Sequence, residues 1–83
     1  MPALMNRYLE QPGEGSRSFS HLAIYATDDG FAVEEVVGEI DSAGRRSGTI
    51  IVLASALSRS DAEAQYRAAV ETRKDQGYRP APR

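Results

Sequence analysis

Apolar and polar residues alternate over residues 21–27, with Leu22, Ile24 and Ala26 on one face and His21, Ala23 and Tyr25 on the other. A period of two predicts a half-buried strand. Asp28-Asp29-Gly30 follows and reads as a hairpin turn, because glycine accepts the positive φ that tight hairpins demand. A second strand is predicted over residues 31–40, with Phe31, Val33, Glu35 and Val37 on one face and Ala32, Glu34, Val36 and Gly38 on the other. Gly38 interrupts its pattern and points to a bulge or bend. After the turn Asp41-Ser42-Ala43-Gly44, residues 48–55 are apolar on both faces through Ile50, Ile51, Val52, Leu53 and Ala54. That pattern predicts a strand that is central or covered on both sides. Residues 4–9 form a short first strand, followed by the loop Gln11-Pro12-Gly13-Glu14-Gly15-Ser16.

The period then changes. Ser60-Asp61-Ala62-Glu63 has the form of a capping box, which satisfies backbone donors that a helix start leaves unpaired. Ala62, Tyr66, Ala69 and Val70 fall on one stripe, while Glu63, Arg67, Glu71 and Lys74 line another. Gly77 suits the left-handed residue that closes a helix, and Pro80 and Pro82 prevent its resumption. One helix over residues 60–76 is expected to lie on the sheet. The fold class is therefore α+β, an antiparallel sheet of four to five curled strands with one C-terminal helix. The expected core comprises Leu22, Ile24, Val33, Ile50, Val52, Tyr66, Ala69 and Val70, with Ile50→Ala costing about 2–5 kcal/mol.

Eighty-three residues make a single domain, 1–83, with residues 1–3 and 80–83 expected to be flexible. No cysteine is present, which removes disulfides and thiolate metal sites and suits a reducing, cytoplasmic compartment. No apolar run approaches a membrane span, and the N-terminus lacks the pattern of a secretory signal, so a membrane partner is not expected. The net charge of −2 conceals an asymmetry. Residues 1–43 carry two arginines against eight carboxylates, whereas residues 44–83 carry eight cations against four carboxylates. An acidic sheet and a basic helix attracting one another account for this split; a dipole that steers a partner is the alternative.

The chain offers little for catalysis. His21 is the one histidine, and no nucleophile elbow, phosphate-cradling loop or metal-ligand spacing occurs. Glu34 and Glu35 are adjacent in a strand and so face opposite ways, which prevents them from converging on one ion. The expectation is a protein without enzymatic activity, cofactor or metal.

Two stretches, residues 33–45 with Val37-Gly38-Glu39 at their centre and the ending Arg73-Lys74-Asp75-Gln76-Gly77-Tyr78, resemble the WGR domain family. That family occurs beside the catalytic domains of poly(ADP-ribose) polymerases and as small free-standing bacterial proteins. Arg7-Tyr8-Leu9 and the strand through Phe19 to Ile24 fall in the same order, so the resemblance spans about residues 5–80. It implies a curled sheet with a C-terminal helix and a binding function, since the family's tryptophan stacks at a DNA end and its arginine holds nucleic acid. Here Val37 and Glu39 stand at those two positions, and only Gly38 is retained. The leading expectation is a non-catalytic module that binds a protein partner or itself, using the surface around Val37, Gly38 and Glu39 or an exposed strand edge. The alternative is DNA binding through Arg45, Arg46, Arg59, Arg73 and Lys74, against which stand a pI of 5.3 and the negative charge of Glu39.

Overall fold

A computed structural model describes residues 3–82. The order of elements is β1 (Met5–Pro12), β2 (Arg17–Thr27), β3 (Gly30–Ile40), β4 (Arg46–Leu57), α1 (Arg59–Asp75) and β5 (Arg79–Pro80). The strands form one antiparallel sheet in the order β4-β3-β2-β1-β5. Short connections dictate this meander, because a chain that turns within a few residues must pair with the strand it has just left. Asp28 and Asp29 form the β2–β3 turn, and Thr27 pairs with Gly30 across it. At the β3–β4 turn, Asp41 Oδ1 accepts hydrogen bonds from the backbone N–H groups of Ala43 and Arg45, each at 2.9 Å.

The main core lies between α1 and one face of the sheet. Leu9, Leu22, Ile24, Val33, Ala62, Tyr66, Val70 and Tyr78 are buried together, and Met5, Phe31, Leu57 and Ala69 pack around them half-buried. Register explains the grouping: Ile24 stands opposite Met5 on one side and Val33 on the other. Full burial of each large aliphatic side chain contributes about 1.5–3 kcal/mol. Glu35 shares this face, opposite Leu22, and is buried without being orphaned. Ser20 Oγ donates to it at 2.5 Å, and Arg73 of α1 donates two hydrogen bonds at 2.8 and 3.0 Å. Glu34 turns to the opposite face. There Tyr8, Phe19 and Ile40 form a second, smaller buried cluster with Val36 and Ala81.

Both helix ends show how sequence becomes geometry. The N-cap is Ser58, not Ser60: Ser58 Oγ accepts a hydrogen bond from the Asp61 N–H at 3.2 Å. The expected box partner Glu63 instead bridges Arg59 and Arg67, each at 3.2 Å. At the other end Gly77 has φ +99°, and the N–H groups of Gly77 and Tyr78 donate to the carbonyls of Lys74 and Arg73. This is a Schellman closure, and it turns Tyr78 into the core.

Three further expectations are corrected. Residues 48–55 are not central, because β4 is an outermost strand and Ile50, Ile51, Val52 and Leu53 on it are exposed. Ile50 and Val52 accordingly leave the core list. Gly38 is not a bulge, since the register runs unbroken through Phe19↔Gly38↔Gly48, and the irregularities fall at Phe31/Val33 and Val33/Glu34. The glycine is required by close approach: a Cβ at Gly38 would lie 1.8 Å from the Ser47 carbonyl oxygen. Of the termini expected to be flexible, Met1, Pro2 and Arg83 lie outside the described residues, while Pro80 pairs with Leu9 in β5 and Ala81 packs beside the second cluster.

Candidate functional site

β4 is bonded to β3 along one edge, and among the described residues its other edge carries no strand. Along it Ile50 is 67% exposed, Ile51 40%, Val52 56% and Leu53 41%. No charged residue and no proline occurs from residue 47 to residue 58. Proteins ordinarily protect an edge with charges, prolines, brevity or a covering element, since a row of unpaired N–H and C=O groups invites another strand. Apart from Arg46 at its first position, this twelve-residue strand has none of the first three. α1 packs against β2, β3 and β4 from one side without covering the edge.

Register assigns the side chains. Ile50 and Val52 stand opposite Val36 and Glu34, on the face away from α1, and Ile51 stands opposite Glu35, on the helix side. Both faces of the edge are therefore apolar. Regular pairing runs from Arg46 to Val52; beyond it Leu53 lacks a partner, because Glu34 pairs with Val52 and Val33 with Ala54. Ala56 then adopts φ +55°, a left-handed conformation for a residue with a Cβ. The regular part of the edge is therefore the stretch before Leu53.

The residues singled out from the sequence are distributed around this strand. Val37 is half-buried between Ser20 and Thr49, Gly38 lies under the Ser47–Gly48 backbone, and Glu39 is exposed. Arg45 is exposed in the turn, next to the start of β4. Arg46 opens β4, with its guanidinium over the rings of Tyr8 at 5.3 Å and Phe19 at 5.4 Å, and donates a 2.7 Å hydrogen bond to Tyr8 Oη. Tyr8 in turn donates to Glu10 at 2.7 Å. Burial and the hydrogen bond to Glu10 push the Tyr8 phenol above its ordinary value, while the bond from Arg46 opposes them. Tyr8, Phe19, His21, Val36, Arg46 and Gly48 surround a notch of about 270 Å³ there.

The remaining basic residues do not join Arg45 and Arg46 in one patch. Arg59 pairs with Glu63 at 3.2 Å, Arg73 with buried Glu35, and Lys74 with Glu71 at 3.9 Å. His21 Nε2 lies 3.2 Å from Asn6 Oδ1. Among the described residues no group of three His, Cys, Asp or Glu side chains is placed to hold a metal ion, and no helix is long and apolar enough to cross a membrane.

Sequence reading missed that residues 50–53 lie exposed on an edge strand. The available signal was a long apolar run with no charge, placed between a turn and the one helix, where a strand has only one sequence neighbour to pair with. Comparison of the chain with protein families, with curated proteins and with solved structures finds no match, so the WGR resemblance rests on the residues quoted for it alone.

Proposed function

We propose that this protein is a self-associating module whose β4 edge pairs antiparallel with β4 of a second copy. The observation that carries the reading is the exposure of Ile50, Ile51, Val52 and Leu53 on a stretch of edge strand that carries no charge from residue 47 to residue 57. Strand addition supplies backbone hydrogen bonds, and the apolar side chains on both faces supply burial. A second copy suits this edge better than a charged partner does. In a two-fold arrangement with its axis at Ile51, Ile51 meets its own equivalent and Ile50 meets Val52 of the second copy, so the centre is aliphatic on both faces, and Leu53 meets Thr49 beside it. The nearest charges, Arg46 and Arg59, stand away from the axis on either side, and no like charges oppose one another at the centre. The product is a continuous ten-stranded sheet with both helices on the same side.

The test is sedimentation velocity across a concentration series. A particle of twice the 9.0 kDa chain mass is expected, with little dependence on salt because the contact is apolar. Ile51→Lys places a charge at the axis and should yield a monomer whose circular dichroism is unchanged. A protein that stays monomeric at high concentration, or an Ile51→Lys dimer, overturns the proposal.

A further inference from the structure

Toward the side of the sheet away from β4, a groove of about 310 Å³ opens where Met5 and Arg7 of β1 meet Tyr66, Arg67, Val70, Glu71 and Lys74 of α1. Its floor is apolar, made by Met5, Val70 and the ring of Tyr66, and its rim carries Arg7, Arg67 and Lys74 against the single carboxylate Glu71. Arg7 meets no carboxylate among the described residues and instead neighbours the Tyr66 phenol. Burial raises that phenol above its ordinary value, and Arg7 draws it partly back. The backbone beside the groove is also unspent: β5 pairs with β1 only at Leu9 and Glu10, so the outer edge of β1 from Met5 to Tyr8 has no strand.

From this juxtaposition we infer that the β1–α1 groove is a docking site for an extended acidic peptide segment of a partner protein. The segment continues the sheet edge where β5 stops. It sets acidic side chains against Arg7, Arg67 and Lys74 and apolar ones on Met5 and Val70. Charge complementarity selects the occupant. A basic segment would meet three like charges, and a purely apolar one would leave Arg7 desolvated without an anion. Arg67 and Lys74 already have intrahelical partners in Glu63 and Glu71, but these pairs are exposed and weak, so their charge remains available to an incoming carboxylate. The groove and the β4 edge lie at opposite ends of the strand order, so occupancy of one leaves the other open.

The probe is a short fluorescein-labelled peptide alternating Leu with Glu, measured by fluorescence anisotropy, with the Leu-Lys peptide as its counterpart. The Leu-Glu peptide is expected to bind and to weaken as salt rises. Its binding should shift the amide resonances of Met5 to Arg7. The double substitution Arg7→Glu with Lys74→Glu should lower its affinity by about tenfold or more, by replacing attraction with repulsion at the rim. Both side chains reach solvent, so the variant should retain the native circular dichroism. Ile51→Lys should leave peptide binding unchanged, which separates this site from β4. Equal binding of the Leu-Lys peptide, retention of affinity in the double variant, or loss of binding through Ile51→Lys instead overturns the inference.

Discussion

β2 and β4 contain equally apolar centres, yet their fates are opposite. Leu22, Ala23 and Ile24 are buried, whereas Ile50, Ile51, Val52 and Leu53 are exposed by two-fifths or more. The difference does not lie in side-chain chemistry. α1 packs on both strands, but β2 has β1 and β3 beside it, while β4 has only β3 beside it. A hydrophobic run states that a segment gains from being covered; it does not state which chain supplies the cover. Where the covering element is the chain's own helix, the run becomes core. Where the chain ends its sheet, the run becomes an edge that a second copy can cover.

The largest expected effect breaks the comparison if it fails. In the monomeric Ile51→Lys background, Leu22→Ala should destabilise by about 2–5 kcal/mol. Ile50→Ala should change stability by no more than about 0.5 kcal/mol there, as expected for an exposed position. Urea midpoints measure both, and equal losses would mean that β4 is covered within the single chain.

A second prediction concerns what holds α1 over β2 and β3. Burial works to raise the Glu35 carboxyl, but the hydrogen bonds from Arg73 and Ser20 and the charge of Arg73 prevail and hold it below the ordinary carboxylate value. The unfolded chain therefore takes up this proton first on acidification. The stabilisation is complete above the unfolded value, about 4.3, and drains away as pH falls through the lower folded value. Urea midpoints across this window should fall less steeply for Glu35→Gln than for the unaltered protein. Identical slopes would show that the buried pair does not couple to acid stability.

The smallest expected effect is at the junction where β4 turns into α1. Ser58→Ala removes the cap and should cost about 1 kcal/mol. Ser60→Ala, inside the first turn and exposed, should cost less than about 0.5 kcal/mol. Thermal unfolding of the two variants checks the order, and a larger loss at Ser60 would return the cap to the position that the Ser-x-x-Glu spacing suggested.

Apart from β5, which the sequence reading took for a flexible tail, the elements were legible in the sequence because their signals are local. Alternation over residues 21–27, the Asp-Asp-Gly turn and Gly77 before Tyr78 specify strand, hairpin and helix closure through torsion angles and nearest neighbours. The cap was misplaced by two residues because Ser58 and Ser60 both present a hydroxyl ahead of an acidic residue. Only the path of the chain entering from β4 selects between them. Gly38 illustrates a different limit. Its sequence context shows that a side chain is unwanted, but whether the cause is a bulge or a backbone passing overhead depends on β4, about ten residues away.

The local pattern, then, determined one antiparallel meander closed by one helix, along with the residues that need cover. Tertiary structure decided which of them receive it. Hydrophobicity is a property of each residue, but burial depends on how many neighbours a strand has in the sheet, and β4 lies at the end of the order with no strand among the described residues on its outer edge. The same geometry left Arg7, Arg67 and Lys74 around an open groove at the far side, where α1 packs chiefly on β2, β3 and β4 and leaves space beside Met5 and Arg7 of β1.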